Sequence, residues 1–471
     1  MDLTEGNLFW KIPLFALPMA FTTILQLLYT TVDLYTVSNF GGGSNSMSAV
    51  GSNTPLINLI VTFFVSFSLG SNVVMGNAKG AKDHSRAEKI LHTSMVLGLL
   101  SGIFVGLIGY FISPYMLVWM NTPEGILKAS TDYLQIYFLG LPFLMIYNYG
   151  SQVLRALGDS KRPLYILIIS GLINVACDFL FVIVFKLDVI GVAWATVLSE
   201  VISALLILLW LFLYKKSFVH LEWKKMKIDK NALCEILKIG IPSGLQGLGF
   251  CIPNVMIQSS LYTITDYSIQ GCKINIYEIV AGSSASSTIE NYVFAFIDAF
   301  ASAVTAFVGQ NYGACKKKNI HKIFAYAIFW TFVTWGICSL VCCIFPDQVL
   351  SVFITEGEDI SHTNALLAGK ERMIMMVLTY SIDGLMDLSS AYLRGMKHPS
   401  INTISCCVGL RIFFLLVLFP LPYFHTIFWL YFVYPLSWIL SVLIFIPMIL
   451  IIEKKAFREM EAEKAAALVS L

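Results

Sequence analysis

Long apolar stretches, each about twenty residues or more, recur along this chain and are separated by short charged connections. In lipid every backbone N–H and C=O must be satisfied within the protein, so only helices and closed barrels can span. A spanning helix needs about 20 predominantly apolar residues, whereas a barrel strand alternates apolar and polar side chains. These stretches do not alternate. Twelve helices are expected, near residues 11–38, 48–75, 90–113, 129–154, 163–185, 189–214, 232–263, 284–311, 320–345, 366–393, 399–420 and 424–452. Several contain proline (Pro18, Pro55, Pro142, Pro242, Pro253, Pro435 and Pro447), which in a bundle marks a kink and not an end.

Composition agrees. Of 471 residues 57% are hydrophobic and 13% charged, against about 45–50% and about 25% in soluble domains. That is too little charge to cover a water-exposed surface of this size. A net charge of +2 gives no electrostatic case for nucleic acid. The ten cysteines show no disulfide spacing and mostly sit in apolar runs, such as Cys177, Cys338, Cys342, Cys343, Cys406 and Cys407, as small hydrophobes with free thiols. Met1 to Trp10 has no Lys or Arg and the apolar run after it exceeds a signal-peptide core, so a retained span is expected.

Basic residues set the expected orientation. Connections after even-numbered helices, with the tail, hold Lys79, Lys82, Arg86 and Lys89; Arg155, Lys161 and Arg162; Lys215, Lys216, Lys224, Lys225, Lys227 and Lys230; Lys316, Lys317, Lys318 and Lys322; Arg394 and Lys397; and Lys454, Lys455, Arg458 and Lys464. Odd connections hold only Lys128, Lys186, Lys273, Lys370 and Arg372. The positive-inside rule then places both termini in the cytoplasm of a cell (inner) membrane. No N-x-[S/T] sequon occurs, which fits a prokaryotic inner membrane.

The two halves read as copies. Gly76-Asn-Ala-Lys-Gly80-Ala-Lys82 after the second helix is echoed by Gly309-Gln-Asn-Tyr-Gly313-Ala-Cys315 after the eighth. Leu154-Arg155-Ala156 after the fourth has its counterpart in Leu393-Arg394-Gly395 after the tenth, and Ala16-Leu17-Pro18 in Gly240-Ile241-Pro242. Six spans per half give both copies the same orientation, a parallel repeat used by transporters whose binding site lies near the midplane between the halves. The fold class expected is therefore an all-α integral membrane protein with twelve transmembrane helices in two pseudo-symmetric six-helix lobes. Its divisions are an N-terminal lobe over 1–214, a cytoplasmic linker over 215–231, a C-terminal lobe over 232–452 and a cytoplasmic tail over 453–471. The second half carries an extra segment over 267–283.

The Gly76–Lys82 and Gly309–Cys315 loops, together with Thr31-Val32-Asp33-Leu34, Leu154-Arg155-Ala156-Leu157-Gly158-Asp159, Asn174-Val-Ala-Cys-Asp178 and Gly191-Val-Ala-Trp-Ala-Thr196, resemble the multidrug and toxic compound extrusion (MATE) family, over roughly residues 8–452. The resemblance implies two six-helix lobes around a central cavity. It also implies efflux of cationic or amphipathic compounds in exchange for H⁺ or Na⁺.

An ionisable side chain in a spanning helix costs about 2.5–3.5 kcal/mol at its centre and marks function by default. Asp33, Asp178, Glu200, Asp298, Asp383 and Asp387 fall within the expected spans. Asn174 and Asp178 are four residues apart on one helical face, as are Thr196 and Glu200. With Asp33 they form a set of oxygens able to surround a small cation or share a proton. In the branches of the family that resemble this chain, the helix-1 Asp, the helix-5 Asn-x₃-Asp pair and the helix-6 Thr form the ion-coupling site. That implies the role for Asp33, Asn174, Asp178 and Thr196, with Na⁺ as one candidate ion, while Glu200 stands where the family more often has an amide. The competing reading of these polar groups is interhelical hydrogen bonding without transport, worth about 0.6 kcal/mol each.

In the second half Asp383 fits the helix-10 Asp of another branch. That branch's helix-7 Glu has no counterpart, since the span holds only Gln246, Asn254 and Gln258. Arg411 is expected to pair with Asp383 or Asp387, and the remaining acids, with Asp298, to offer a docking point to a cationic drug. Tyr137, Tyr147 and Asn148 near helix 4 are candidate cavity residues through cation–π contact. No cofactor is expected beyond the coupling ion, and the partners expected are small organic cations or amphipathic drugs and membrane lipid, with the chain a monomer. A lipid-linked saccharide flippase would need a basic cavity, which Arg411 alone does not supply. A membrane enzyme or receptor would need a catalytic motif such as H-E-x-x-H or G-x-S-x-G, or a ligand-binding ectodomain, and the sequence has none of these.

Overall fold

The structure is a computed structural model, and it describes residues 1–120, 122–214, 218–264, 267–269, 272–354, 361–399 and 401–469. Lys215 and Lys216 of the linker lie outside the described residues. The helices are α1 (Leu8–Phe40), α2 (Ser44–Gly80), α3 (His84–Trp119), α4 (Glu124–Ala156), α5 (Lys161–Phe179), α6 (Asp188–Leu213), α7 (Lys230–Leu261), α8 (Ile276–Gly313), α9 (Lys317–Ile344), the short α10 (Pro346–Ser351), α11 (His362–Gly395), α12 (Ile401–Phe413) and α13 (Ile427–Val469). All twelve expected segments are helical. α5 and α12 each run on into a five-residue π turn, Leu180–Val184 and Phe414–Leu418. Each is the fifth long helix of its half.

Nine of the described helices are long and apolar enough to cross a membrane. α4 and α11 fall short because they carry polar side chains into the bundle, including Tyr137, Asn148 and Gln152 on α4 and Arg372, Asp383 and Asp387 on α11. α12 falls short on length. The extra segment of the second half holds the strands found among the described residues, an antiparallel pair β1 (Tyr267–Ile269) and β2 (Cys272–Ile274).

Helix ends follow local chemistry. Asp83 caps α3, its Oδ1 accepting from Arg86 N at 2.9 Å. Asp229 caps α7 by accepting from Ala232 N at 3.0 Å. That bond, ahead of the Lys89 ammonium, holds the Asp229 carboxyl below its usual range. At α8 a reciprocal capping box forms, with Asn275 N donating to Glu278 Oε2 at 2.8 Å and Glu278 N to Asn275 Oδ1 at 2.9 Å. Glu278 Oε1 also accepts from Ser361 N and Asn364 Nδ2 at the start of α11. Each such cap is worth about 1 kcal/mol.

The internal repeat is written in the backbone. Asp83 N bonds Ala78 O and Lys316 N bonds Asn311 O, both as six-residue C-caps, with left-handed residues at Lys82 (φ 58°) and Cys315 (φ 55°). Asp159 N to Leu154 O and His398 N to Leu393 O form the second such pair, with Gly158 (φ 81°) and Lys397 (φ 69°) in the left-handed region. These are the positions the sequence repeat aligns.

Two compact units carry the packing. The first comprises Met1–Glu5, Phe21–Gly244 and Gly309–Lys316, and the second Gly6–Ala20, Leu245–Val308 and Lys317–Leu471. In the first, α4 is the central helix, packed against α2, α3 and α6. Glycines let α3 approach it: a Cβ on Gly102 would meet the Pro142 backbone, and one on Gly106 the Phe138 carbonyl. Leu3 is fully buried in this unit, its N–H reaching Gln310 Oε1 and its carbonyl accepting from Asn311 Nδ2 at 2.9 Å. In the second unit α11 packs on α9 and α13.

Candidate functional site

Asp33 of α1, Asn174 and Asp178 of α5 and Thr196 and Glu200 of α6 lie in the first unit, and all but Thr196 are buried. The four-residue spacings work as geometry requires. Asn174 and Asp178 share one face of α5, and Asp178, Asn174 and Thr196 lie around the Asp33 carboxylate. The Thr196 hydroxyl donates to Val192 O at 3.0 Å and reaches Asp33 Oδ2 at 3.5 Å. Among the described residues no N–H or O–H donor meets Asp33 Oδ1, Asn174 Oδ1 or either carboxylate oxygen of Asp178, and the Asp33 and Asp178 carboxyls face each other. A buried acceptor left unpaired costs about 1–3 kcal/mol, and a shared proton or a small cation among these oxygens is the chemistry that would offset it. Thr36 Oγ1, one turn beyond Asp33, is buried and unpartnered too.

Glu200 sits beside this cluster. Its Oε2 is also buried and unpartnered, and it packs on α4 where Gly140 has no side chain to fill the space. Tyr133 and Tyr137 of α4 look onto the same acids, Tyr133 toward Asp33, Asp178 and Glu200, and Tyr137 toward Glu200 and Asp33. The sequence offers Tyr137 as a substrate-cavity residue and not as a neighbour of these acids, and it does not single out Tyr133, one turn away on the same face. Tyr147 does not join them. Its hydroxyl donates to Pro163 O at 3.1 Å and ties α4 to α5, while Asn148 bonds Leu144 O within its own helix.

The acids of the second unit are arranged otherwise. Asp383 and Asp387 of α11 and Asp298 of α8 form one electrostatic neighbourhood that Arg394 also enters. Arg411 does not form the expected ion pair with either Asp383 or Asp387. Its Nε donates to Ser437 Oγ and its Nη1 to Asn254 Oδ1. The reason is position, since α12 turns the guanidinium toward Tyr434 on α13.

The charges that do pair were not expected. Glu290 of α8 and Arg372 of α11, 3% and 5% exposed, form a two-pronged ion pair, Nε to Oε1 at 2.8 Å and Nη2 to Oε2 at 2.9 Å. Ser283 and Ser286 complete it. Arg372 is thus a buried helix residue and not the connection residue its count with the odd loops implied, and Glu290 joins the acids within the spans.

Long apolar helices that bury a cluster of carboxylates in one unit fit the class of membrane transporters. The MatE family model matches this chain twice, over residues 18–180 and 254–419. The chain belongs to that family: it is a MATE efflux transporter of twelve transmembrane helices in two lobes, and not an enzyme. It is 28% identical over 422 residues to the probable multidrug resistance protein YoeA of Bacillus subtilis, spanning 86% of this chain and 85% of the relative. It is 21% identical over 348 residues to the multidrug export protein MepA of Staphylococcus saprophyticus, spanning 73% of each. A MOP superfamily transporter from Pyrococcus furiosus shares the fold with a TM-score of 0.83 at 20% identity over 98% of both chains. A multidrug resistance MATE family transporter in an outward-facing conformation gives 0.82 at 20% identity, again over 98% of both.

Proposed function

We propose that this transporter is an antiporter that exports cationic or amphipathic compounds, drugs among them, across the cell membrane in exchange for H⁺ or Na⁺. The names of the Bacillus and Staphylococcus relatives, a multidrug resistance protein and a multidrug export protein, support drugs as substrates. The observation that carries the coupling is the set of four oxygens on Asp33, Asn174 and Asp178 that no donor among the described residues meets. All are oxygen donors, the ligand type that suits a proton or a hard cation.

Binding of the ion at Asp33 and Asp178 removes the repulsion between two buried carboxylates on separate helices, α1 and α5. It thereby favours the arrangement in which these helices close on each other. Coupling requires that ion and substrate favour different arrangements, since a ligand with equal affinity for both shifts nothing. Asn174 and Thr196 orient the carboxylates. Glu200, one helical turn beyond Thr196, adds a third carboxyl to the same environment.

The test is efflux of ethidium in proteoliposomes, driven in turn by a pH gradient and by a Na⁺ gradient. One gradient should drive uphill movement in the native protein. Asp33→Asn and Asp178→Asn should each lower that driven rate at least tenfold. Wild-type rates in both variants would refute the coupling site.

A further inference from the structure

Two buried arginines of the second unit are met very differently. Arg372 has the two-pronged Glu290 carboxylate and Ser283 Oγ at 2.8 Å. Arg411 is more deeply buried, at 2% exposure, yet it forms no ion pair among the described residues. Among the described residues its hydrogen bonds go to two neutral groups, from Nε to Ser437 Oγ at 2.8 Å and from Nη1 to Asn254 Oδ1 at 3.3 Å. The guanidinium lies 4.7 Å from the Tyr434 ring centroid, with Phe250 at 5.5 Å and Trp438 at 5.8 Å.

A buried cation costs several kcal/mol unless an anion meets it. Three aromatic faces offset part of that, and hydrogen bonds to neutral oxygens do not cancel the charge. Asp383 is close enough to feel Arg411 electrostatically but does not touch it. The same lobe shows at Arg372 that it can neutralise a buried guanidinium fully, so the incomplete match at Arg411 is local. An arginine held by Nε and Nη1 against fixed partners still presents an Nη2 edge, and a guanidinium is shaped for carboxylate oxygens. Asn254, which shares its bond, is exposed.

We propose that Arg411 is the carboxylate-recognising residue of a substrate subsite built from Phe250, Asn254, Tyr434, Ser437 and Trp438, and that the subsite takes aromatic amphipathic compounds bearing a carboxylate. The rings receive the planar body and the guanidinium the anionic group. This deepens the reading of the protein as an exporter of amphipathic compounds and rests on it.

The test compares two probes that differ only in that charge, tetramethylrhodamine with its free carboxylate and its methyl ester. Equilibrium binding is measured by fluorescence anisotropy to the full chain in nanodiscs, with protein-free nanodiscs subtracted and no ion gradient. Arg411→Gln should weaken binding of the free acid about tenfold or more and change the ester by less than about twofold. Equal losses for acid and ester, or no loss for either, would overturn the proposal. Should Arg411→Gln not yield folded protein, Arg411→Lys carries the test, because it keeps the charge and removes the fork: the acid-to-ester affinity ratio must fall, and an unchanged ratio refutes the assignment. Because no gradient is applied, failure here is separate from failure of the coupling site. Asp33→Asn and Asp178→Asn should abolish driven efflux while leaving the acid-to-ester ratio as in the native protein.

Discussion

Glu290 and Asp178 are both acids on long helices and both buried, and the difference lies in what faces them. Glu290 is met by Arg372 with two bonds under 3 Å, whereas among the described residues Asp178 is met by no cation and faces the Asp33 carboxyl. Breaking a buried pair from one side costs about 3–5 kcal/mol because the other charge is stranded, while replacing both partners by apolar groups is often neutral. Arg372→Met should therefore lower unfolding stability in detergent by about 3–5 kcal/mol, and the double variant Arg372→Met with Glu290→Leu should recover most of it. A double variant as unstable as the single one would show that the pair does more than cancel charge. The sequence shows Asp33 and Asp178 as functional candidates because each stands in an apolar run and Asn174 precedes Asp178 by one turn. It hides Glu290 and Arg372, which are 82 residues apart and each look like a charge near a span end. Periodicity locates a residue on its own helix, and only packing decides which helix faces it. That is also why Arg411 reads as a partner for Asp383 until α12 turns it toward Tyr434.

At the scale of elements, the repeat accounts for more than the helix count. The last turns of α2 and α8 meet reciprocally in the first unit: a Cβ on Gly80 would overlap the Gln310 carbonyl, and one on Gly313 the Asn77 carbonyl. Gly80 and Gly313 are equivalent in the repeat, as are Asn77 and Gln310, so the contact is one interaction made twice. Backbone cannot give way as a flexible side chain would, and overpacking of this kind costs about 1–3 kcal/mol. Gly80→Ala and Gly313→Ala are expected to lower the melting temperature by similar amounts. Gly336→Ala on α9, where nothing lies within 4 Å, should be neutral or slightly stabilising through helix propensity. Unequal effects at Gly80 and Gly313, or a matching loss at Gly336, would argue against the reciprocal contact. The equivalence of these glycines is legible in the sequence, since both segments keep the Gly-x₃-Gly-Ala spacing. Their contact is not, and neither are the π turns after α5 and α12. Leu180–Val184 and Phe414–Leu418 share only an apolar character that an α-helix would show as well.

For the whole molecule, the distribution of basic side chains predicts an orientation in the membrane. Lys and Arg gather in the α2–α3, α4–α5, α6–α7, α8–α9 and α11–α12 connections, and few lie at the opposite helix ends. Such a bias fixes orientation at insertion, so the positively charged ends should face the cytoplasm. In a background with the native cysteines replaced, Lys322→Cys at the start of α9 and Tyr262→Cys just after α7 place single thiols at exposed positions on opposite ends of the helices. A membrane-impermeant maleimide applied to intact cells should label Tyr262→Cys and leave Lys322→Cys unmodified until the membrane is permeabilised. The reverse pattern would invert the protein, and with it the sense of export. Orientation also decides which gradient can act, because an inward-directed H⁺ or Na⁺ gradient drives outward movement only if the Asp33–Asp178 cluster loads its ion from the side where Tyr262 lies. The labelling result and the gradient that drives efflux must therefore agree.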